Sequence, residues 1–148
     1  MLNLTSQYAL QALIIVANEA RHELVSGPRI ADCTGIPPKY LSTILRELVR
    51  HRVLDSTRGK GGGFQLARPA DQILLHDALR PFEPMLSGQR PCPFGYATCS
   101  DEDPCSGHDR WKKVREAYDG FLNSTTLQDV ATEKKKWRRK KKRRKKRP

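Results

Sequence analysis

Four side chains that can bind a metal lie close together in the sequence. Cys92, Cys99, Cys105 and His108 form a C-x6-C-x5-C-x2-H pattern. Thiolate and imidazole bind soft and borderline metals, and thiolates also hold iron–sulfur clusters. Because the segment between them contains proline and glycine, we expect a loop that can fold around an ion or a cluster. From the residues alone, an iron–sulfur cluster, a structural zinc ion and a metal-free thiol switch are all open.

The positive charge of the chain is concentrated at its end. Among the 148 residues are 28 Lys and Arg, of which 13 lie in residues 134–147. The rest of the chain contains 15 basic and 16 acidic residues, so its net charge is close to zero. A segment this rich in charge cannot bury enough apolar surface to fold. We predict that residues 131–148 are a disordered basic tail that makes non-specific contact with nucleic acid.

The sequence predicts neither a membrane protein nor a secreted one. No apolar stretch approaches the roughly 20 residues of a bilayer-spanning helix. The first residues, MLNLTSQYAL, lack the basic and apolar regions of a secretory signal. A cytoplasmic location without a membrane partner is therefore expected. In that reducing compartment, clustered cysteines are typical of metal binding or redox chemistry rather than of structural disulfides.

Apolar periodicity predicts a helix-turn-helix in the first fifty residues. A helix over residues 6–20, with Ser6 as its N-cap, comes first. Residues 26–27 lead into a short helix over residues 28–33, and a longer helix begins at Pro38. The second helix of such a pair enters the major groove of DNA. Its apolar stripe, predicted to face the core, consists of Tyr40, Leu41, Ile44, Leu45 and Leu48.

A glycine-rich hairpin is predicted directly after this helix. Residues 53–57 and 64–67 are strand-like, and the turn between them reads RGKGGG. Glycine lets a backbone approach phosphate closely and the two cations neutralise it, which favours a DNA-binding wing over a simple flexible hairpin. A nucleotide-binding P-loop is not indicated, because no Lys-Ser/Thr pair follows. The predicted DNA-binding residues are Lys39, Ser42, Thr43 and Arg46 of the recognition helix and Arg58 and Lys60 of the wing.

Two further helices are predicted in the second half of the chain. Residues 73–80 form a short one, and residues 108–122 form a longer one with an aromatic stripe. That stripe could pack on its own domain, but it favours a helix–helix homodimer interface. The stripe consists of Trp111, Val114, Tyr118, Phe121 and Leu122. The expected fold class is mainly α with a small β-hairpin wing, that is, a winged helix-turn-helix followed by a C-terminal dimerisation helix.

These elements divide the chain into four predicted regions. They are a winged helix-turn-helix DNA-binding domain (1–85), a cysteine-rich loop (86–107), a dimerisation helix with the following segment (108–130) and the basic tail (131–148). No C-x-x-C pair and no hydrolase-like constellation is visible, so we do not predict an enzyme. Cys33 is expected to be a small buried core residue. The acidic residues Asp101, Glu102 and Asp103 between the cysteines are expected to form a solvated turn.

Together these motifs resemble the Rrf-type family of bacterial transcription regulators, which includes IscR-, NsrR- and RirA-like members. The resemblance covers residues 2–130 almost without gaps, and the wing RGKGGGF followed by Leu66-Ala67 is its most specific stretch. The other matching segments are Ser6 to Leu10, Ile30-Ala31, Ile36-Pro37, Tyr40-Leu41, the three cysteines, Gly107 to Trp111 and Thr125 to Leu127. The resemblance implies a dimeric winged-helix protein that binds near-palindromic promoter sites in double-stranded DNA. It also implies a response to iron–sulfur status, nitric oxide or redox stress.

The resemblance further implies a ligand set that is closest to that of IscR-like members. In those members three cysteines and a histidine hold an iron–sulfur cluster, which assigns the cluster to Cys92, Cys99, Cys105 and His108. NsrR-like members use an acidic residue near the N-terminus of the partner subunit, where this chain has Gln7, a poor iron ligand. His108 is therefore favoured as the fourth ligand. A 2Fe–2S cluster is favoured and 4Fe–4S is the second form, while zinc is the alternative.

Two departures from the family pattern matter for this interpretation. The first cysteine gap has six intervening residues where five are usual, which leaves the cluster type open. Arg52 stands where members usually have a glycine after the recognition helix, so it predicts strain or a different exit from that helix. The expected function is a transcription regulator whose promoter affinity responds to an iron–sulfur cluster. A zinc-stabilised or cluster-free thiol-switch protein that binds DNA or RNA is the alternative.

Overall fold

The computed structural model describes residues 2–19, 23–86 and 92–131. These residues form a mainly helical fold with one antiparallel hairpin, as predicted. Within them, no helix is both long and apolar enough to cross a bilayer. The predicted basic tail lies outside the described residues apart from its first position. The elements are α1 (Leu4–Glu19), α2 (Gly27–Thr34), α3 (Pro38–Arg50), β1 (Leu54–Thr57), β2 (Gly63–Leu66), a 3-10 turn (Ala70–Gln72), α4 (Leu75–Leu79), α5 (His108–Ser124) and α6 (Leu127–Ala131).

The first helix begins before its predicted position. The Asn3 side chain caps α1, because its Oδ1 accepts the backbone N–H of Ser6 at 2.9 Å. Ser6, predicted as the N-cap, instead lies inside the first turn and is fully buried. That prediction was wrong because Asn3 supplies an equally good capping oxygen three residues earlier. The earlier start lets a small side chain pack where α1 meets the core.

Local signals define the helix-turn-helix as predicted. The Ser26 hydroxyl accepts the backbone N–H of Arg29 at 3.3 Å, and Pro28 occupies the first turn of α2. Gly35 ends α2 with φ 76°, a left-handed conformation that favours glycine. Helix α3 starts at Pro38. Its buried residues are Leu41, Ile44, Leu45 and Leu48.

Helix α3 ends in a Schellman motif built on Arg52. The Val53 N–H donates to the Leu48 carbonyl at 2.9 Å, and the Arg52 N–H donates to the Val49 carbonyl at 3.0 Å. Arg52 has φ 56°, the one positive φ at a residue other than glycine in the described part of the chain. Glycine is the usual residue at this position of the motif. Of the two alternatives predicted for Arg52, strain rather than a different exit from the helix is confirmed.

The wing consists of β1, β2 and the turn between them, residues 54–66. Leu54 pairs with Leu66 at the base of the hairpin. The wing is also tied to the segment before α2, since Val25 and Phe64 exchange two backbone hydrogen bonds of 2.9 Å. The base of the wing thus has a fixed position relative to α2 and α3.

The second half of the chain packs against the first helices. The Leu75 N–H donates to the Thr125 carbonyl at 2.9 Å, and the Leu127 N–H donates to the Ile73 carbonyl at 2.8 Å. Helix α5 packs against α4, and α6 packs against α1. Leu122 and Leu127 are fully buried in the same hydrophobic core as the helix-turn-helix. The C-terminal end of α5 is therefore anchored on the DNA-binding half.

Candidate metal centre and nucleic-acid interface

The cysteine loop brings its four predicted ligands together as two pairs. The sulfurs of Cys92 and Cys105 are 3.7 Å apart, and the Cys99 sulfur is 3.4 Å from Nδ1 of His108. All three cysteines of the loop are free thiols. Among the described residues, no group of three or more His, Cys, Asp or Glu side chains is gathered closely enough to hold a metal ion. The two pairs would have to draw together around a shared ion or cluster.

His108 is the first residue of α5, and its imidazole is held from both sides. The His108 side chain is 4% exposed, and its Nε2 lies 2.7 Å from Oδ1 of Asp101. The two Asp101 oxygens accept hydrogen bonds from Lys112 Nζ at 2.8 and 2.9 Å. The Lys112 hydrogen bond, and then the one from His108, lower the pKa of Asp101 to about 2. Asp101 is exposed, as predicted for a solvated turn, but its carboxylate is also bound to two neighbours, which the sequence did not predict.

The thiols of the first pair differ in acidity. Burial raises the pKa of the Cys92 thiol, but hydrogen bonds from the backbone N–H groups of Phe94 and Tyr96 outweigh it, and the pKa falls below its ordinary value. Burial raises the pKa of Cys105, and the neighbouring Cys92 and Cys99 sulfurs raise it further. Cys92 is consequently the better thiolate of the pair, both as a metal ligand and as a nucleophile.

A glycine lets the loop lie against the start of α5. A Cβ added to Gly107 would lie 2.6 Å from a ring carbon of Phe94. The Phe94 ring therefore rests on the backbone just before His108, while the ring remains 55% exposed. This close approach is a structural reason for glycine immediately before the predicted fourth ligand.

The residues predicted to bind DNA are all exposed. On α3 they occupy the side opposite the buried stripe, and the two wing residues lie in the turn between β1 and β2. These residues are Lys39, Ser42, Thr43 and Arg46 on α3 and Arg58 and Lys60 in the wing. The arrangement supplies hydroxyl donors for base edges and cations for phosphates.

The glycines of the wing are explained by the fold itself. Gly59 and Gly61 have φ 98° and 77°, which favour glycine. A Cβ on Gly62 would collide with the Thr57 carbonyl, and one on Gly63 would lie 2.7 Å from the Val25 carbonyl oxygen. The hairpin therefore requires these glycines whether or not DNA is present, and phosphate binding by the wing is indicated by its two cations, Arg58 and Lys60.

Two side chains differ from their predicted environments. Tyr40 is 38% exposed rather than in the core: its hydroxyl hydrogen-bonds the Thr5 hydroxyl, and its ring packs edge-on against Tyr8 with centroids 5.7 Å apart. It links α3 to α1 at the surface because it lies at the edge of the apolar stripe. Cys33 is half-buried, and its sulfur lies 3.9 Å from a Glu19 oxygen.

The residues of the aromatic stripe of α5 differ in burial. Leu122 is fully buried in the core, whereas Val114 and Phe121 are 57% and 50% exposed. The indole nitrogen of Trp111 and the hydroxyl of Tyr118 are buried without a hydrogen-bond partner among the described residues. Tyr118 and Leu122 therefore pack on their own domain, whereas Val114 and Phe121 leave apolar surface uncovered.

A helix-turn-helix whose second helix exposes a polar face beside a cationic hairpin defines the class of winged helix-turn-helix DNA-binding proteins. The profile of the Rrf2 family, described as an iron-dependent transcriptional regulator, matches residues 2–133. The chain therefore belongs to the Rrf2 family of transcription regulators, which confirms the resemblance inferred from the motifs. Its function is DNA-binding regulation of transcription and not enzymatic catalysis.

Individual relatives and solved structures agree with this assignment. The chain is 34% identical over 131 residues to an HTH-type transcriptional regulator of Mycobacterium tuberculosis, covering 85% of this chain and 78% of the relative. It is 29% identical over 136 residues to IscR of Cronobacter sakazakii, covering 90% and 83%. The structure of T. potens IscR matches with a TM-score of 0.70 at 25% identity, covering 88% and 85%. The oxidised form of Staphylococcus aureus CymR matches with a TM-score of 0.70 at 25% identity, covering 89% and 96%.

Proposed function

We propose that this regulator binds promoter DNA with an affinity that responds to an iron–sulfur cluster held by Cys92, Cys99, Cys105 and His108. The observation that carries the proposal is the donor set: three free thiols in one loop and a buried imidazole at the start of α5, paired at 3.7 and 3.4 Å. When bound, a cluster supplies sensitivity to oxidants, nitric oxide and iron depletion. We favour 2Fe–2S over 4Fe–4S because imidazole ligation is known in 2Fe–2S centres of the Rieske type.

Thiol and imidazole donors suit such a group once the two pairs draw together. Nδ1 of His108 faces the sulfur of Cys99, which is itself a proposed ligand. The other ring nitrogen is already engaged by Asp101. The pKa of Cys92 is lowered, which favours the thiolate that a metal requires.

The contacts of α5 supply a route from the loop to the DNA-reading helix. His108 is the first residue of α5 and Cys105 lies three residues before it. Leu122, near the other end of α5, is buried in the core that also contains the α3 residues. The segment after α5 is hydrogen-bonded to the one before α4 and leads to α6, which packs on α1. Helix α1 contacts α2 and α3. Ligation by Cys105 and His108 would fix the start of α5 relative to this core.

A homodimer would convert that local change into a change of DNA affinity. The exposed side of α5, with Val114 and Phe121, is the surface we assign to the partner copy. Half-sites one helical turn apart require recognition helices separated by about 34 Å. Because α5 would set that separation, a small shift of α5 would alter the fit of both recognition helices. The residues proposed to contact each half-site are Lys39, Ser42, Thr43, Arg46, Arg58 and Lys60.

The first experiment is to purify the protein without oxygen, record its visible spectrum and assay iron, sulfide and zinc. Our proposal predicts a coloured protein with iron and sulfide in equal amounts. Replacement of Cys92, Cys99 or Cys105 by Ser should remove the colour, whereas Cys33→Ser, outside the loop, should retain it. A colourless protein with stoichiometric zinc would overturn the cluster and support the structural zinc alternative.

A metal-free thiol switch is the second candidate, and the 3.7 Å distance between Cys92 and Cys105 favours it. The Cys92 thiolate would attack a hydroperoxide, which leaves a sulfenic acid and an alcohol. The Cys105 thiol would then displace water to form a disulfide, whose S–S bond of about 2.05 Å requires the sulfurs to approach. In that case the purified protein would be colourless and metal-free, and peroxide would remove two titratable thiols.

We also propose a cytoplasmic location and a separate task for the basic tail. The tail would neutralise phosphates of any DNA sequence and thereby raise non-specific affinity. Most of it lies outside the described residues, so this proposal depends on composition alone: 13 of the 14 residues in 134–147 are Lys or Arg.

A further inference from the structure

We propose that Asp101, anchored by Lys112, positions His108 so that Nδ1 is the ligand atom. This inference rests on the proposed cluster site and adds two positioning residues that act through His108. One carboxylate from the cysteine loop contacts both an imidazole and an ammonium of α5. The loop and the helix are thereby joined at the residue that is proposed to complete the site.

Asp101 determines which nitrogen of His108 carries the proton. Its Oδ1 lies 2.7 Å from Nε2, while the Lys112 ammonium donates to both of its oxygens. A carboxylate beside an ammonium only accepts hydrogen bonds, so Nε2 is the protonated nitrogen of the neutral ring. Nδ1 then carries the lone pair, 3.4 Å from the Cys99 sulfur. The lone pair thus faces the Cys99 thiol, a proposed ligand of the same cluster.

The spacing on α5 explains how one carboxylate reaches both partners. His108 and Lys112 are four residues apart, which places them on one face of the helix. The His108 side chain is 4% exposed, whereas the Asp101 side chain is 65% exposed. Asp101 therefore holds the buried ring from the surface side, and Lys112 keeps the exposed carboxylate in place.

Removing this outer hydrogen bond should weaken ligation by His108. A histidine ligand whose second nitrogen loses its acceptor is less well oriented and less basic, and metal affinity falls by about 10–100-fold. Asp101→Ala removes the acceptor altogether. Asp101→Asn keeps a neutral acceptor, and Lys112→Met removes only the anchor, so both should have intermediate effects.

The test uses the full chain reconstituted anaerobically with iron and sulfide, and it follows the loss of cluster absorbance after a chelator is added. Asp101→Ala should lose the cluster about 10–100-fold faster than the wild type, with Asp101→Asn and Lys112→Met between them. Glu102→Gln is the matched control, because it removes one negative charge from the same exposed loop without touching His108. Equal release rates in all five proteins would overturn the inference.

A second measurement on metal-free protein separates this inference from the proposed function. At a pH where the nitrogen-15 chemical shifts show a neutral ring, NMR should show His108 protonated at Nε2. Asp101→Ala should give a mixture of both tautomers, and Glu102→Gln should not. A wild-type ring protonated at Nδ1 overturns the inference, with or without a cluster. An Nε2-protonated ring in a protein that never takes up iron overturns the proposed cluster instead.

Discussion

His108 illustrates how the neighbours of one side chain decide what it can do. The C-x2-H spacing identifies it as a donor, but either ring nitrogen of a free histidine can hold the proton. Its position between the Cys99 thiol and the Asp101 carboxylate leaves Nδ1 available. The same contacts bury the ring, so loss of the loop contact would also change the start of α5.

Arg52 is the residue whose backbone conformation makes the most direct stability prediction. A left-handed residue other than glycine costs about 1–2 kcal/mol, while glycine gains about 0.5–1 kcal/mol of extra freedom in the unfolded chain. Arg52→Gly should therefore raise the free energy of unfolding by about 0.5–1 kcal/mol. Equilibrium urea unfolding, followed by circular dichroism at fixed protein concentration, measures this change.

The matched control is the same substitution inside α3. Arg46 is exposed and has helical neighbours on both sides, so Arg46→Gly should lower the free energy of unfolding by about 1 kcal/mol. The two substitutions delete the same side chain and charge but differ in backbone conformation. If both destabilised the protein equally, the strain assigned to Arg52 would be absent.

At the scale of elements, the wing and the tail are two cationic segments with different expected effects on DNA binding. The wing is fixed to the helix-turn-helix through Val25 and Phe64, so Arg58 and Lys60 should meet particular phosphates beside the recognised site. The tail is expected to meet any phosphates. Both contributions depend on salt, because each neutralised phosphate releases a counterion.

This difference predicts separable results when promoter affinity is measured against salt concentration. Replacing Arg58 and Lys60 by Ala should lower the slope of log affinity against log salt by up to about 0.9 for each cation and weaken specific binding. Truncation after residue 133 should lower the slope while the ratio of specific to non-specific affinity stays unchanged. Arg80→Ala, an exposed cation outside both segments, is the control. A tailless protein with the wild-type slope would contradict the assignment of the tail.

Elements with strong local signals could be predicted from the sequence, and those that depend on distant contacts could not. Ser26, Pro28 and Gly35 delimit α2 through capping and backbone preference alone. By contrast, α6 has only five residues and was not predicted. Its start does have a local capping contact, since the Thr126 N–H and hydroxyl donate to Asp129 at 2.8 and 2.7 Å. So short a helix is nevertheless held in place by the burial of Leu127 in the core, which is a distant contact.

The candidate site could likewise be predicted only where the sequence contains a local signal. The four proposed ligands could be identified because thiols and imidazole are rare and closely spaced in the chain. The contribution of Asp101 could not, because its contacts with His108 and Lys112 exist only once the loop lies over α5. An acidic run between cysteines contains no local signal for which of its members will face a histidine.

For the molecule as a whole, α5 connects the cysteine loop to the hydrophobic core of the DNA-binding half. The core includes residues from α1 to α4 together with Leu122 and Leu127, so the end of α5 packs in the same core as α3. The start of α5 contains His108, where the cluster is proposed to act. In our proposal, a change of ligation at His108 reaches the recognition helix through this core.

The most direct test compares the DNA affinity of one preparation before and after anaerobic removal of the cluster by a chelator, with the thiols kept reduced. The fragments should be promoters selected in vitro with the loaded protein, and both measurements should use the same salt concentration. Coupling between two sites typically changes affinity by about 5–150-fold, and we predict a difference within that range. Equal affinity of the loaded and stripped proteins for every fragment would contradict regulation by the cluster.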